Sequence, residues 1–488
     1  MSDAETASDF ANRCPNASRD RSVSSSIKPF TAITQPCAAN AYDLLRITMI
    51  YAAISAVAVG LYLTSPKPEG RYFCGQTVQL GRHLSFPLNC DSMEFIDDAI
   101  SPSNLLKAGS ERQDRPLFVA AAAIPTQLLI QSRFWRIIPE RFYASIAASP
   151  AFSAHYLKHH VSTTWSVYAK YSLCAYVSYI ALNGVIVLAA LLLFHWLTTI
   201  TWEANGIVIA FASLLLANDV VKAFFWSPHT QMLNLVIPLG AVLVCDSFLR
   251  VPSRSIGFMW TVGFAIGILT LAYGSFPVWV LAGMLGLAIR LFSKEIHISL
   301  LRFCTQSLAL VTGLALPSGI WIALCQVVAG GYHNRELAVY HQFIWTWESY
   351  HLGWSQLLTA ATSNLVQFLA VLLPVLYFPV LLLVGVVVVG RSLRVPIGLV
   401  VRERSTTFVA IAISTSVCLV YFYFLGTYRE RLALNIVLPL LLASAIVAIG
   451  ILERVPRPLA APMVQLSIWI LIVARFAYEI SKAGPWSS

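Results

Sequence analysis

Long apolar runs recur along almost the whole chain, and they limit what it can fold into. Of its 488 residues, 57% are hydrophobic and 11% are charged, and the mean hydropathy is +0.70. A spanning helix needs about 20 mostly apolar residues, so the runs predict an all-α, polytopic membrane protein with about eleven or twelve transmembrane helices. The runs cover residues 44–64, 116–131, 172–198, 205–225, 231–249, 256–274, 275–291, 303–329, 362–389, 406–425, 432–451 and 462–478.

The basic residues predict the orientation of these spans. The formal net charge is +10, and because Lys and Arg collect in cytoplasmic loops, we interpret it as a topology signal rather than as a nucleic-acid surface. Residues 1–40 lack the apolar core of a cleavable signal, which predicts a disordered cytoplasmic tail before a transmembrane domain at 41–488. The first loop (65–115) is then extracytoplasmic. So are the loops at 226–231, 330–355 and 426–431.

One basic region conflicts with this order. Residues 133–171 favour the cytoplasm, as do residues 250–255, yet three apolar runs lie between them. Either the region 133–171 lies on the outer surface, or an extra short crossing lies near 172–225.

The first loop contains the most acidic stretch, residues 90–117. A helix from Asp91 places Asp91, Glu94 and Asp98 on one stripe, with Met93 and Ile96 on the opposite face. Such a helix is expected on the membrane surface. Neighbouring carboxylates raise one another's pKa, and a carboxylate that takes up a proton near neutral pH suits a general base. A solvated loop helix without a catalytic role is the alternative.

The nine cysteines show no CxxC spacing, so no metal or redox motif emerges. Cys74 and Cys90 both fall in the first loop, where an oxidising compartment would permit a disulfide; two free thiols are the alternative. The sequence also lacks a P-loop, a GxGxxG fingerprint, a nucleophile elbow and an HExxH motif. An ATP-driven pump is therefore disfavoured.

The other outer loops carry isolated polar side chains. His229 stands in a turn between two apolar runs, and the loop at 330–355 contains Arg335 among aromatic residues. Arg429 and Arg431 lie in the short loop 426–431, on the side where arginines are disfavoured, and a phosphate gripped by their guanidinium groups would explain them. Alternatively, these arginines pair with Glu430 or with lipid headgroups.

The order of these features resembles the GT-C superfamily of integral membrane glycosyltransferases, which use polyprenyl-phosphate sugars as donors. A first span is followed by an outer loop with an early acidic residue, then by the basic-Pro-Leu entry Arg115-Pro116-Leu117, and later by Tyr428-Arg429. The chain departs from the family pattern because Asp91 lies far downstream of the first span and Arg115 replaces a proline. The choice of Asp91 over Asp97 or Asp98 therefore stays open.

The resemblance implies a site and a reaction, and it implies inversion of configuration at the anomeric carbon. Asp91 would be the base, Glu94 or Asp98 would tune it, and Arg429 with Arg431 would stabilise the leaving phosphate. Further donor or acceptor contacts would come from Arg115, His229, Arg335 and Tyr428. The resemblance requires no cofactor, although a divalent metal ion is compatible with the carboxylates.

The partners that the resemblance implies are a polyprenyl-phosphate sugar donor, a glycan or lipid acceptor and membrane lipids. The lack of an ER retention signal and the basic, compact character of the chain are compatible with a bacterial inner membrane. A transporter or flippase for a lipid-linked anionic substrate is one alternative, but it should place polar residues at the bilayer midplane rather than at one face. A polysaccharide polymerase or ligase is another, and it need not use the acidic helix.

Overall fold

The computed structural model describes residues 41–66, 76–79, 85–88, 91–138, 140, 165–251, 254–293, 298–455 and 460–482. The helices of the first half are α1 (Ala41–Tyr62), α2 (Ser92–Ile100), α3 (Pro116–Gln131), α4 (Trp165–Thr199), α5 (Gly206–Ser213), α6 (Asp219–Phe224) and α7 (Ile237–Arg250). The second half has α8 (Ile256–Thr270), α9 (Pro277–Phe292), α10 (Leu300–Ala329), α11 (Arg335–Tyr340), α12 (Ile344–His351), α13 (Trp354–Ser392), α14 (Ile397–Glu403), α15 (Ser405–Leu425), α16 (Glu430–Leu452) and α17 (Ala460–Ser481).

The described helices include eight that are long and apolar enough to cross a membrane: α1, α4, α7 with the turn before it, α10, α13, α15, α16 and α17. Three shorter apolar helices accompany them, namely α3, α8 and α9. The protein is therefore a polytopic, mostly helical membrane protein. One exception to the predicted all-α fold lies in the first loop, where strand β1 (Gln76–Gln79) pairs antiparallel with strand β2 (Ser85–Leu88).

Side-chain contacts show which helix ends lie together. The indole of Trp226 donates to the carbonyl of Val59 near the end of α1 (2.8 Å), and the hydroxyl of Tyr168 at the start of α4 donates to Asp97 of α2 (2.8 Å). Tyr176, in the first part of α4, donates to the carbonyl of the same Trp226 (2.9 Å), whereas Tyr51 in the middle of α1 contacts His195 near the end of α4 at 2.8 Å. Helices α1 and α4 are thus antiparallel, and α2 lies at what we call the site end of the bundle.

The basic loops meet at the opposite end. Arg250 donates to Thr407 (2.8 Å), the carbonyl of Arg254 accepts from Gln306 (2.8 Å), and Arg454 pairs with Glu403. The arginines predicted to share the cytoplasmic side therefore lie at one end of the molecule.

The predicted count of about eleven or twelve spans exceeds the eight long helices of the described chain, and four predicted runs differ from the structure. The runs at 116–131, 256–274 and 275–291 are the shorter helices α3, α8 and α9. The run at 205–225 is two short helices rather than one, because the Asn218 side chain accepts from the amide of Val221 (3.0 Å) and begins α6 anew. Helix α3 stays beside α2: the amide of Leu117 donates to Leu271 (3.1 Å), and Gln127 donates to the carbonyl of Ile100 (2.8 Å).

The position of α3 also bears on the basic region 133–171. Trp135, just after α3, lies against Lys170 at the start of α4, with the ammonium 4.6 Å from the ring centroid. Because the start of α4 contacts α2, the described part of this region lies at the site end. The structure thus favours the first of the two alternatives, in which the region shares a side with the acidic loop.

Candidate functional site

A cavity of about 380 Å³ opens where the four predicted outer loops meet. The first loop contributes Asp91, Asp114 and Arg115; the turn 226–231 contributes His229 and Gln231; the loop at 330–355 contributes Asn334, Arg335, Glu336, Leu337, Tyr340, Gln342 and Phe343; the loop at 426–431 contributes Thr427, Arg429 and Arg431. Tyr273 and Tyr421 add aromatic surface. Its size matches that of small-molecule sites, which span about 300–1,000 Å³.

Asp91 lies at the start of α2, where three side chains converge on its carboxylate. Arg112 Nη2 lies 2.9 Å and Arg335 Nη1 3.4 Å from Oδ1, while His229 Nε2 lies 3.3 Å from Oδ2. Burial alone would raise the pKa of Asp91, but the hydrogen bond from His229 and the charges of Arg112 and Arg335 hold it well below its usual range. The expectation of an Asp91 that titrates near neutral pH is therefore wrong.

The hydrogen bonds of His229 define its protonation state. Its Nδ1 accepts a hydrogen bond from the backbone amide of Gln231 at 3.2 Å, so the proton of the neutral ring is on Nε2, which faces Asp91. Burial lowers the pKa of His229 to about 4, so the ring is neutral at pH 7. His229 therefore donates to an ionised Asp91, a contact that its sequence context did not reveal.

Glu94 shares the two guanidinium groups of Asp91. Arg112 pairs with Glu94, and Arg335 Nη1 lies 3.3 Å from Glu94 Oε2 and also pairs with Glu111. Burial raises the pKa of Glu94, with the neighbouring Glu111 carboxyl adding to the rise against the opposing charge of Arg112. Glu94 thus lies behind Asp91 in a network of ion pairs, and it is not among the residues that line the cavity.

Asp98 occupies a different environment from Asp91. Helix α2 is enclosed rather than lying on a surface, because Phe95 packs against Phe118 of α3 and Tyr179 of α4, and Asp98 is only 6% exposed. Burial raises the pKa of Asp98 to about 7, although the positive charge of Arg112 acts to lower it. Asp98 is absent from the cavity wall, so the structure does not bring it together with Asp91 at the site.

Another part of the cavity wall is cationic, because Arg429 and Arg431 line it. In the part of the chain that the structure describes, neither Arg429 nor Arg431 forms an ion pair, and Arg431 lies 5.9 Å from the ring centroid of Phe224. Gly426 helps to place this loop, because its φ of 75° suits glycine and the indole of Trp345 packs against it. Arginines in such a setting suit an anion site. The side chain of Glu430, their alternative partner, lies outside the described side chains.

The side chain of Tyr428 does not line the cavity. Its hydroxyl donates to the carbonyl of Tyr423 at 2.8 Å, and its ring packs against Phe368 of α13. Tyr428 lines a separate small apolar cleft. Arg429 and Leu432 line both this cleft and the cavity. Of the predicted pair, only Arg429 belongs to the cavity.

Arg115 lies in the cavity wall but is already engaged. It donates to Thr230 Oγ1 at 2.8 Å and pairs with Glu336, while Arg335 on the same loop pairs with Asp91. Two ion pairs therefore connect the loop at 330–355 to the acidic loop, and each loop supplies the arginine of one pair and the carboxylate of the other. Neither Glu336 nor Arg112 was predicted as a site residue, although each is a charge in a membrane protein with few of them.

The remaining site calls concern a disulfide and a metal ion. Cys74 and Cys90 lie outside the described residues. Within the described ranges, no group of three His, Cys, Asp or Glu side chains has the arrangement of a metal site. The guanidinium of Arg335 instead lies between Asp91, Glu94 and Glu111, where it compensates their charge.

Comparison of the chain with protein-family models, with curated proteins and with solved structures finds no match.

Proposed function

We propose that the protein is a membrane glycosyltransferase that moves a sugar from a polyprenyl-phosphate donor to a glycan or lipid acceptor at the extracytoplasmic face of a bacterial inner membrane. One observation carries the proposal. An ionised carboxylate, Asp91, lines the same cavity as Arg429 and Arg431, whose guanidinium groups form no ion pair with the described side chains. Sugar transfer from a lipid phosphate needs both kinds of group, because the acceptor hydroxyl loses a proton to a carboxylate while the arginines stabilise the released phosphate.

The proposed step is a direct displacement at the anomeric carbon. The acceptor oxygen forms a bond to that carbon, the bond from the carbon to the phosphate oxygen breaks, and its electron pair stays on the phosphate. Asp91 takes the hydroxyl proton, and Arg429 with Arg431 stabilises the negative charge that grows on the leaving phosphate. His229 and Arg112 hold the carboxylate in place.

The apolar cleft beside the cavity supports a lipid donor. Phe368 and Leu372 of α13, Phe422 of α15 and Leu432 of α16 line it, and Arg429 lies where the cleft adjoins the cavity. In this arrangement Arg429 contacts the phosphate and the start of the isoprenoid chain adjoins this apolar surface. The cleft has a volume of only about 10 Å³, so it must widen to admit the chain.

A polysaccharide polymerase or ligase is the second candidate, and one observation favours it. Three side chains hold Asp91 ionised with a low pKa, and a carboxylate of low pKa is a weak base. In a ligase, the arginines would still bind the lipid-linked phosphate, whereas Asp91 would only keep Arg112 and Arg335 in place.

The test is sugar transfer in membranes with a panel of radiolabelled polyprenyl-phosphate sugars. The proposal expects wild type to consume at least one donor and Asp91→Asn, which keeps the shape and removes the proton acceptor, to lose about 10²- to 10⁴-fold in turnover. Glu348→Gln, an exposed carboxylate outside the cavity, is the matched control. Normal transfer by Asp91→Asn would favour the ligase, and movement of intact donor without transfer would favour a flippase.

A further inference from the structure

Asp114 is a carboxylate on the cavity wall that the proposed reaction does not use. Its neighbour Gln113 is fully anchored: the side-chain amide donates to the carbonyls of Leu105 and Lys107 (both 3.0 Å) and accepts from the amide of His333 (2.7 Å). The carbonyl of Gln113 accepts from the indole of Trp321 at 2.7 Å. The backbone that carries Asp114 is therefore held in one position before any ligand binds.

The carboxyl group of Asp114 is buried, but it has fewer hydrogen-bond and ion-pair partners than a buried carboxylate needs. Its side chain is 6% exposed, and Oδ1 accepts no hydrogen bond from the described residues. Among the described residues, its ion-pair partner is Arg115, whose Nε lies 3.6 Å from Oδ2, beyond hydrogen-bond distance. A buried acceptor that is left unsatisfied is costly, so it requires an explanation.

We propose that Asp114 accepts a hydrogen bond from a hydroxyl group of the sugar and so determines which sugars the site selects. This inference rests on the proposed glycosyltransferase function and extends it to the neutral part of the donor. The carboxylates of Asp114 and Glu336 disfavour a phosphate beside them, although Arg115 offsets part of their charge, whereas Arg429 and Arg431 attract it. The donor is thereby oriented with its phosphate at the arginines and its ring toward Asp114.

The surroundings of Asp114 suit a sugar ring. Tyr273, Tyr421 and Phe343 line the same cavity, and aromatic faces pack against the apolar face of a pyranose. The hydroxyl groups at the ring edge then need polar partners. A site built to bind a hydroxyl rejects an analogue that lacks it, because the buried partner is left unpaired.

The alternative role for Asp114 is that of a counter-ion for Arg115. Arg115 already has Glu336 as an ion-pair partner and Thr230 as a hydrogen-bond acceptor, so it does not depend on Asp114 alone. The two roles predict different results. Loss of a counter-ion would weaken every donor equally, whereas loss of a sugar contact would weaken binding only when the matching hydroxyl is present.

The experiment measures dissociation constants in detergent for three kinds of probe: sugar-free polyprenyl phosphate, polyprenyl-phosphate hexoses, and their monodeoxy analogues. For wild type we expect one monodeoxy analogue to bind about 10- to 100-fold more weakly than its parent. In Asp114→Ala this difference should disappear, while sugar-free polyprenyl phosphate binds as tightly as to wild type. Asp114→Asn keeps an acceptor oxygen and should retain part of the discrimination, and Glu348→Gln should retain all of it.

The outcomes separate this inference from the proposed function. If wild type does not bind polyprenyl phosphate, both are contradicted. If it binds the lipid but shows no difference among deoxy sugars, or if Asp114→Ala keeps the difference, the role of Asp114 is overturned and the proposed function stands. Equal weakening of all three probe classes by Asp114→Ala would identify a counter-ion instead. Size-exclusion profiles that match wild type establish that each variant is folded.

Discussion

At the scale of single residues, Arg112 shows how the site tolerates so many charges. Its guanidinium is 2% exposed and lies between the carboxylates of Asp91 and Glu94, with the face of the Phe95 ring 4.6 Å away. An arginine buried in this way is stable only while its partners are present, and the partners depend equally on it. Arg112 therefore fixes the start of α2 as well as the orientation of Asp91.

Replacing Arg112 should destabilise the protein strongly. Arg112→Met keeps an apolar stem of similar length but leaves two partly buried carboxylates short of a counter-charge, so we expect a loss of about 3 kcal/mol in the free energy of unfolding. Arg454→Met is the control, because Arg454 pairs with the half-exposed Glu403 and should cost no more than about 1 kcal/mol. Unfolding in mixed detergent measures both, and equal losses would contradict the role of Arg112.

The raised pKa of Asp98 predicts a pH dependence of stability. The folded protein binds this proton up to about pH 7, whereas the unfolded chain releases it near about pH 4. Asp98 therefore favours the folded state below pH 4, and this contribution is lost as the pH rises to 7. Asp98→Asn cannot ionise, so its thermal midpoint should rise relative to wild type between pH 4 and pH 8. A constant difference across that range would show that Asp98 is not buried as described.

At the scale of elements, helices α8 and α10 pack more closely than side chains would allow. A Cβ added at Gly313 of α10 would lie 2.4 Å from the carbonyl oxygen of Trp260, and one at Gly263 of α8 would lie 2.3 Å from that of Leu310. Since the obstacles are backbone atoms, they cannot move aside without separating the helices. Small residues at such crossings are what close helix packing in membranes requires.

Two substitutions on the same helix test this contact. Gly313→Ala should separate α8 from α10 and lower the free energy of unfolding by about 1–3 kcal/mol, as overpacking does. Gly319→Ala, where nothing lies within 4 Å of the added methyl group, should be neutral or should stabilise by up to about 1 kcal/mol because alanine favours helix. The comparison is made by thermal unfolding in one detergent, and similar effects at the two sites would argue against close packing.

Much of this element structure is predictable from hydropathy, and its exceptions have local causes. The run at 362–389 lies inside α13, and the prediction that four loops share one end is supported by the cavity they line. The break at Asn218 and the position of α3 escaped prediction, because an apolar segment packed inside the protein resembles a spanning helix in composition. At the site, residue types predicted Asp91, Arg429 and Arg431. They could not reveal that Arg112 and Arg335 would lower the pKa of Asp91, which depends on tertiary contacts.

At the scale of the whole molecule, charge is divided between the two ends. The site end carries Asp91, Asp114 and Glu336 together with the arginines of the cavity, whereas the opposite end carries the arginines of the basic loops. A transporter needs polar groups along its full depth, but chemistry on a lipid headgroup needs them at one end only. This division is the reason for favouring an enzyme.

In the proposed reaction, Asp91 and the cavity arginines Arg429 and Arg431 have separate tasks, which can be tested by measuring donor binding apart from turnover. Polyprenyl-phosphate sugar binding and transfer are measured for wild type, Asp91→Asn, Arg429→Ala and Arg431→Ala, with Arg402→Ala in the exposed end of α14 as the control. The account predicts that Asp91→Asn binds donor normally but transfers at least about 10²-fold more slowly, and that each cavity arginine variant binds donor about tenfold or more weakly. Unchanged donor binding in both arginine variants, or unchanged turnover in Asp91→Asn, would contradict it.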